Sequence, residues 1–501
     1  MFRISDLCAI LLYLAAMAGI GFYFGKKNKS TEEYFLGNRA FPGWAVGLSM
    51  LGTSISSVTF LALPAAAYVL DYRQAVNSFA MPFAALLAVW LFIPFFRRGR
   101  ATSAFEYLEA RYGPFFRAYA AFCFVITQFI RLATVLYLVA LPVAGMTGGS
   151  LTTVIVVCGF FIALYTVIGG IEAVIWTDVI QTVILLLGGI LCMGLMLYEL
   201  PEGLSDVLRI GLADDKFSFG PVTWGLNDRT FTVLLLLGVV SYTTDYSSNQ
   251  NVVQRYIAAK SLREARKAVV LSAAMSIPTW MCFFFLGSCL YAFYKLVPDA
   301  AVANLAADEV LPHFILTRTP PFLGGVIIAA CLAAAMSSLD SSINSISTVC
   351  SVDFVKRYGR ERSDASLLKI AKIIAVVCGM FMIGGAAALV HIPKECVNDF
   401  CLIIASMVGG GKLAIFLLGF FTTRVSGRAL LAGLIPAILF NLYLACNTLG
   451  WVPEALRMPI HAYWTGILVN AGLALVAYLA SFRFPCRRNL TGLTVWTQQK
   501  K

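Results

Sequence analysis

The sequence predicts an all-α integral membrane protein of about thirteen transmembrane helices, and three observations carry that reading. Of its 501 residues, 59% are AVILMFWYC and only 13% are DEKR, where soluble chains carry about a quarter charged. Apolar runs of about 20 residues, enough to cross about 30 Å of hydrocarbon, recur from Leu7 to Phe482. The basic residues alternate between successive inter-span loops, as they do in helical membrane proteins of fixed orientation.

Taken in order, the spans fall near 7–25, 42–70, 77–96, 114–144, 151–175, 177–199, 230–254, 268–294, 321–350, 367–391, 400–422, 428–447 and 461–482. The first could pass for a signal peptide, but its basic cluster Lys26, Lys27 and Lys29 follows the apolar run, so it reads as a retained span. The connection between the fifth and sixth spans is placed at Ile171–Thr177. One set of loops, with the tail 483–501, collects about 26 Lys and Arg, including Arg97, Arg111, Arg117 and Arg255, against about nine in the opposite set. That asymmetry puts the N-terminus outside and the C-terminus in the cytoplasm. It also accounts for the net charge of +12 with no nucleic-acid partner. A multi-pass plasma-membrane protein is expected, in the inner membrane if the source is bacterial.

Two spans break the apolar pattern at matching places. The second reads Gly47-Leu-Ser-Met-Leu-Gly-Thr-Ser-Ile-Ser-Ser-Val-Thr59, and the seventh Ser241-Tyr-Thr-Thr-Asp-Tyr-Ser-Ser-Asn-Gln-Asn251. Such polar runs are costly in hydrocarbon unless they line a cavity or a helix break. Five spans apart, they point to an inverted repeat with its site at the repeat interface. The whole chain is then one transporter domain: an extra helix at 7–25, one repeat over about 42–199, a second over about 230–422, further helices to 482 and the tail.

The ninth span carries eight hydroxyl, carboxylate or amide side chains in the eleven positions from Ser337 to Ser347. Ser337, Asp340 and Ser341 share one helix face, and hard oxygen ligands of this kind suit a small hard cation. The competing reading is plain packing, with each hydroxyl bonded back to the i−4 carbonyl. Arg131, mid-span in Thr127-Gln-Phe-Ile-Arg-Leu-Ala, needs an anionic partner: a substrate carboxylate, or a fixed pair with Asp245 or Asp178. Lys412 in Gly409-Gly-Gly-Lys reads first as the structural partner of Asp340 or Asp245. Asp178 also fits a helix N-terminal carboxylate near the cytoplasmic interface.

Several functions are disfavoured. The chain has no P-loop, Rossmann fingerprint or HExxH motif, and no soluble segment large enough for an ATPase domain, so neither ATP-driven transport nor an enzyme is expected. Thirteen Cys without a CxxC pair and three His give no zinc or redox framework. A membrane sensor of the same architecture would need a signalling module for which the tail is too short, and no filter loop suggests a channel.

The segment Val167-Ile-Gly-Gly-Ile-Glu-Ala-Val-Ile-Trp-Thr-Asp-Val-Ile-Gln-Thr182 resembles the signature of the sodium:solute symporter family. Thr102–Tyr112, Gln254–Lys260 and Met336–Ser347 resemble its other landmarks, in order, over nearly the whole chain. The resemblance implies the leucine-transporter-type fold of five plus five helices with one extra N-terminal helix. It also implies a main sodium site at Gly52, Ile55, Ala334, Ser337 and Ser338. A second sodium, present in some members, would use Asp178, Asp340 and Ser341, although serine is the family's residue where this chain has Asp340. Similarity is greatest to the family's sialic acid branch, whose carboxylate-binding positions fall on Ser54, Ser56, Thr59 and Arg131. Gln74 or Ser78 and Asn249 or Asn251 would complete the cavity wall. The glutamine and glutamate of the hexose branch are missing. The implied activity is sodium-coupled import of a small anionic solute, with one sodium ion or two, in a protein whose oligomeric state the sequence leaves open.

Overall fold

A computed structural model describes residues 4–25, 30–98, 102–226, 228–359, 363–391 and 410–497. Among them the regular structure is helical. The long rods are α1 (Ile4–Gly25), α3 (Gly43–Ser54), α4 (Val58–Val69), α5 (Arg73–Arg97), α7 (Pro114–Thr147) and α8 (Leu151–Glu199) in the first half. The second half holds α10 (Phe231–Ser248), α11 (Gln250–Ala258), α12 (Leu262–Leu296), α14 (Leu323–Val349), α15 (Asp364–Val390), α16 (Lys412–Phe421), α17 (Gly427–Thr448) and α18 (Trp464–Arg483). Short helices α2 (Thr31–Leu36), α6 (Glu106–Arg111), α9 (Leu204–Ala213) and α13 (Ala307–Arg318) lie in the connections.

Nine of the described helices are long and apolar enough to span a membrane, and α3 and α4 together make a further span bent by 59°. At about 1.5 Å per residue, the 49 residues of α8 measure roughly twice a bilayer core. Gly170, at φ 63°, divides α8 into two legs. Here the structure corrects the expected connection: the helix runs unbroken through Ile171–Thr177, and the break falls one residue earlier, where glycine tolerates the left-handed backbone. The expected span 400–422 is described only from residue 410 onward, as α16 with its leading turn; residues 400–409, like Lys26, Lys27 and Lys29, lie outside the described residues.

The outer surface is apolar, with Leu12, Phe160, Leu187, Phe381, Leu439 and Leu475 exposed. The polar residues are gathered inward on α14. That helix is 89% buried in its most apolar window, against 28% for α1 and α18, so α14 is the central post. α8 wraps it, α7 and α15 flank it, and α3 crosses it at the end of its apolar run.

The basic residues of the loops counted above also knit the helix ends. The Arg97 guanidinium donates to the carbonyls of Tyr256, Ile257 and Ala259, at 2.6 to 3.1 Å, where α11 ends. Arg111 donates to Thr422 O at 2.8 Å, closing the C-terminus of α16. Arg117 reaches Asp353 at 2.7 Å and Glu109 at 2.8 Å, and Arg357 holds the other oxygen of Glu109. Arg255 departs from the sequence expectation. It belongs to α11, not to a loop, and is fully buried.

Candidate ion and substrate site

α3 ends because the chain leaves helical geometry at Ile55 (φ −92°, ψ 123°) and re-enters a helix at Val58. A helix C-terminus leaves carbonyls without intrahelical partners, and here they point into the bundle. The Ser338 hydroxyl lies 3.1 Å from Thr53 O and 3.3 Å from Ile55 O. Gly52 sits where three helices converge: a β-carbon there would meet Thr182 Oγ1 at 2.4 Å and Ser337 Oγ at 3.0 Å. Glycine is required by that approach, not by its own backbone angles.

Ala334, Ser337 and Ser338 are each about 1% exposed. With Gly52 and Ile55 they form an oxygen-only donor set of carbonyls and hydroxyls, suited to a small hard cation. The close approach at Gly52 and the exposed carbonyls at the break are what such a cation needs. The structure brings Gly52 to Ser337 and Ile55 to Ser338, with Ala334 one turn earlier on α14.

The three residues expected at a second ion position are arranged differently. Asp178 accepts from Ser49 and Ser337, and pairs with Arg255 Nη2 at 3.0 Å, both side chains being fully buried. It stands two turns beyond the Gly170 break, so it is an interior carboxylate and not a helix N-terminal one. Ser341 is bonded to Arg255 Nη2 and lies 3.0 Å from Thr53 Oγ1. Asp340 turns to the other leg of α8, where Tyr165 and Thr166 donate to its Oδ1. Arg255, whose Nε also reaches Ser49 Oγ at 2.8 Å, thus stands between Asp178 and Ser341. Sequence reading missed it because its neighbours in the chain look like a basic loop; the only signal was its place directly after Gln254.

Arg131 is half-buried on α7. Its Nη2 donates to Thr53 O at 2.7 Å and lies 3.5 Å from Ser338 Oγ. Neither fixed pair is formed. Asp178 is taken by Arg255, and Asp245, which lies in the field of Arg131, accepts instead from Asn249 Nδ2 at 2.9 Å. Lys412 opens α16, is buried and also lies in the field of Asp245, while Asp340 has its own partners on α8. Arg131 and Lys412 therefore share the field of Asp245, while Asp178 is paired with Arg255 and Asp340 is held by the Tyr165 and Thr166 hydroxyls.

The hydroxyls at the α3–α4 break, where Arg131 reaches Thr53 O, divide by their bonding. Ser54 donates its proton to Leu51 O at 2.7 Å. Ser56 Oγ accepts from Val58 N and Thr59 Oγ1 accepts from Ser56 N, so both use a lone pair there and keep a proton to donate. Asn249 forms the break between α10 and α11 and caps α11 by accepting from Asn251 N at 3.1 Å. Gln74 is half-buried in the first turn of α5, which packs on α10, and Ser78 is bonded locally to Ala75 O. A residue the sequence did not single out is Gln128. Its Oε1 accepts from Asn251 at 3.1 Å and from Ser342 at 2.9 Å, tying α7, α11 and α14 together.

The lower part of the α14 stripe does plain structural work, as the packing alternative holds. Asn344 and Ser345 meet Gln254, and Ser347 donates to Ala371 O.

This arrangement, a bundle of broken helices around a buried polar centre, defines a membrane transporter. The chain matches the sodium:solute symporter family over residues 34–436 and belongs to that family. It is 34% identical to the sodium/sialic acid symporter SiaT of Proteus mirabilis over 85% of this chain and 86% of that protein. It is 27% identical to the human sodium-coupled monocarboxylate transporter 1, over 92% of this chain and 76% of the relative. Among solved structures, the substrate-bound outward-open state of a Na+-coupled sialic acid symporter superposes with a TM-score of 0.88 at 30% identity, covering 97% and 99% of the two chains. The fold is accordingly the leucine-transporter-type inverted repeat expected above, and the protein is a transporter and not an enzyme.

Proposed function

We propose that the protein imports a carboxylated sugar of the sialic acid type together with sodium. One observation carries the substrate class: the half-buried Arg131 guanidinium reaches the α3–α4 break at Thr53 O and, among the described residues, makes no ion pair within 4.0 Å. An anionic solute would pair with that guanidinium. The relatives named for sialic acid support the same choice.

In this reading sodium is held by Gly52, Ile55, Ala334, Ser337 and Ser338, and supplies the charge that ties the broken α3–α4 rod to α14. The substrate carboxylate meets Arg131, since a guanidinium binds a carboxylate through two parallel hydrogen bonds, and Ser56 and Thr59 donate to its oxygens. Ser54 offers lone pairs to a sugar hydroxyl. Gln74 and Asn249 form the far wall. Asp178 and Ser341, bridged by the Arg255 guanidinium, would hold a second sodium where one is carried, and Asp340 stands apart with Tyr165. The N-terminus is outside and the C-terminus cytoplasmic, in a plasma membrane. A lone protomer holds the whole site.

The test is uptake of radiolabelled N-acetylneuraminic acid into proteoliposomes, with and without an inward sodium gradient. Sodium-dependent accumulation that unlabelled sialic acids block supports the proposal. A second reading, a short monocarboxylate, is favoured by the relatives of that name, and competition by monocarboxylates but not by sialic acids selects it.

A further inference from the structure

We propose that Arg131 couples the two ligands by competing with sodium for Ser338, so that sodium releases the guanidinium to the substrate and the substrate carboxylate in turn opens the ion site. The inference rests on the sodium site proposed above and adds to it a device that makes one ligand sense the other.

The groups form one continuous chain. Arg131 Nη2 is 2.7 Å from Thr53 O and 3.5 Å from Ser338 Oγ, and Ser338 Oγ is 3.1 Å from Thr53 O and 3.3 Å from Ile55 O. Ser338 Oγ and Ile55 O are two of the five proposed sodium ligands. A hydroxyl has a single proton. With that proton given to a backbone carbonyl, the two lone pairs of Ser338 are turned to cations, Arg131 and the proposed sodium, side by side. The site is nearly dry, Ser338 being 1% exposed, so two like charges repel there with little screening.

Sodium on Ser338 and Ile55 therefore drives the guanidinium off Ser338 and toward the side of the break where Ser56 and Thr59 keep free protons. A carboxylate arriving there finds the planar fork already turned to it. Bound first, the carboxylate draws Arg131 away and leaves Ser338 to the ion. Thermodynamic linkage makes the two effects equal. Lys412 supplies an internal comparison. It is a buried cation near the same carboxylate, but no hydrogen bond among the described residues joins it to Thr53 or Ser338.

The experiment measures binding of radioactive sodium to the purified protein, with no substrate present and then with saturating N-acetylneuraminic acid. Arg131→Gln is expected to bind sodium roughly fivefold more tightly than wild type without substrate, and to lose the tightening that substrate produces in wild type. Arg131→Lys, which keeps a cation but not the fork, is expected to fall between them and serves in place of Arg131→Gln should that variant not fold. Lys412→Gln is expected to change sodium affinity less than about twofold, an order set by the same coupling scale. Unchanged or weaker sodium binding by Arg131→Gln would overturn the competition. Equal tightening by Lys412→Gln would also overturn it, assigning the effect to the general field. If Ser338→Ala binds sodium as wild type does, the ion site itself fails, and the competition with it.

Discussion

The two broken rods of the bundle solve the same problem in opposite ways. Where α3 meets α4, the break residue is Ile55, whose side chain caps nothing, and the carbonyls of Thr53 and Ile55 are left to Ser338 and Arg131 from other helices. Where α10 meets α11, the break residue is Asn249, whose own side chain accepts from Asn251 N and donates to Asp245. The first break is open to partners and the second is closed on itself. A polar break alone therefore does not make an ion site. What sets the first break apart is backbone oxygen, at Thr53 and Ile55, that side chains of α7 and α14 reach.

That contrast can be broken at several points. The largest effect is expected from Arg131→Ala: uptake of the anionic substrate falls to background in proteoliposomes while sodium binding stays measurable. Retained uptake would return the open break to a purely ionic role. Next is Arg255→Gln, which leaves Asp178 charged and unpaired beneath the open break and should cost about 3–5 kcal/mol of stability. The Arg255→Gln/Asp178→Asn double variant should recover part of that in a thermal melt.

Ser338→Ala should raise the sodium concentration for half-maximal uptake about tenfold, or ~1.4 kcal/mol. Asn249→Ala, at the closed break, should leave that value unchanged and cost about 1 kcal/mol of stability as a lost helix cap. A sodium effect from Asn249→Ala as large as that from Ser338→Ala would erase the distinction between the two breaks.

The smallest effect lies outside the membrane, at Glu109. The Arg357 hydrogen bond, with Arg117 beside it, holds the Glu109 carboxyl below the usual carboxylate range. A carboxylate with a depressed folded-state pKa adds stability above its unfolded value, about 4.3, and loses it as pH falls through the folded value. Glu109→Gln should therefore lower the melting temperature slightly at pH 7, and the difference from wild type should begin to shrink near the unfolded value of about 4.3 and vanish only once pH is below the depressed folded value. A difference that persists in acid would mean that packing, not charge, holds α6 to α7 and to Arg357 beyond the end of α14.

Much of this was legible in the residues. Apolar length gave the spans, because a helix must cover a fixed thickness of hydrocarbon, and the run of hydroxyls after Met336 marked α14 as a helix that could not face lipid. The α3 break was legible as Gly-Thr-Ser-Ile-Ser-Ser within an apolar span. Arg255 was not. Its sequence neighbours gave it the look of one more cytoplasmic charge, and only the return of α11 against α3 and α14 buries it on Asp178. The partners of Arg131 were equally hidden, since they lie on α3 and α14, 78 and 207 positions away.

The sequence by itself determined the solvent, the helical class and the two polar places where helices break, because each of these depends on local composition and on period. The tertiary structure alone decided which break stays open, which arginine neutralises Asp178 and which stays free, and that Asp340 turns away from both. Those outcomes depend on distances between residues remote in the chain, and over such distances a charge or a hydroxyl carries no record of its partner until packing brings the two within hydrogen-bond reach.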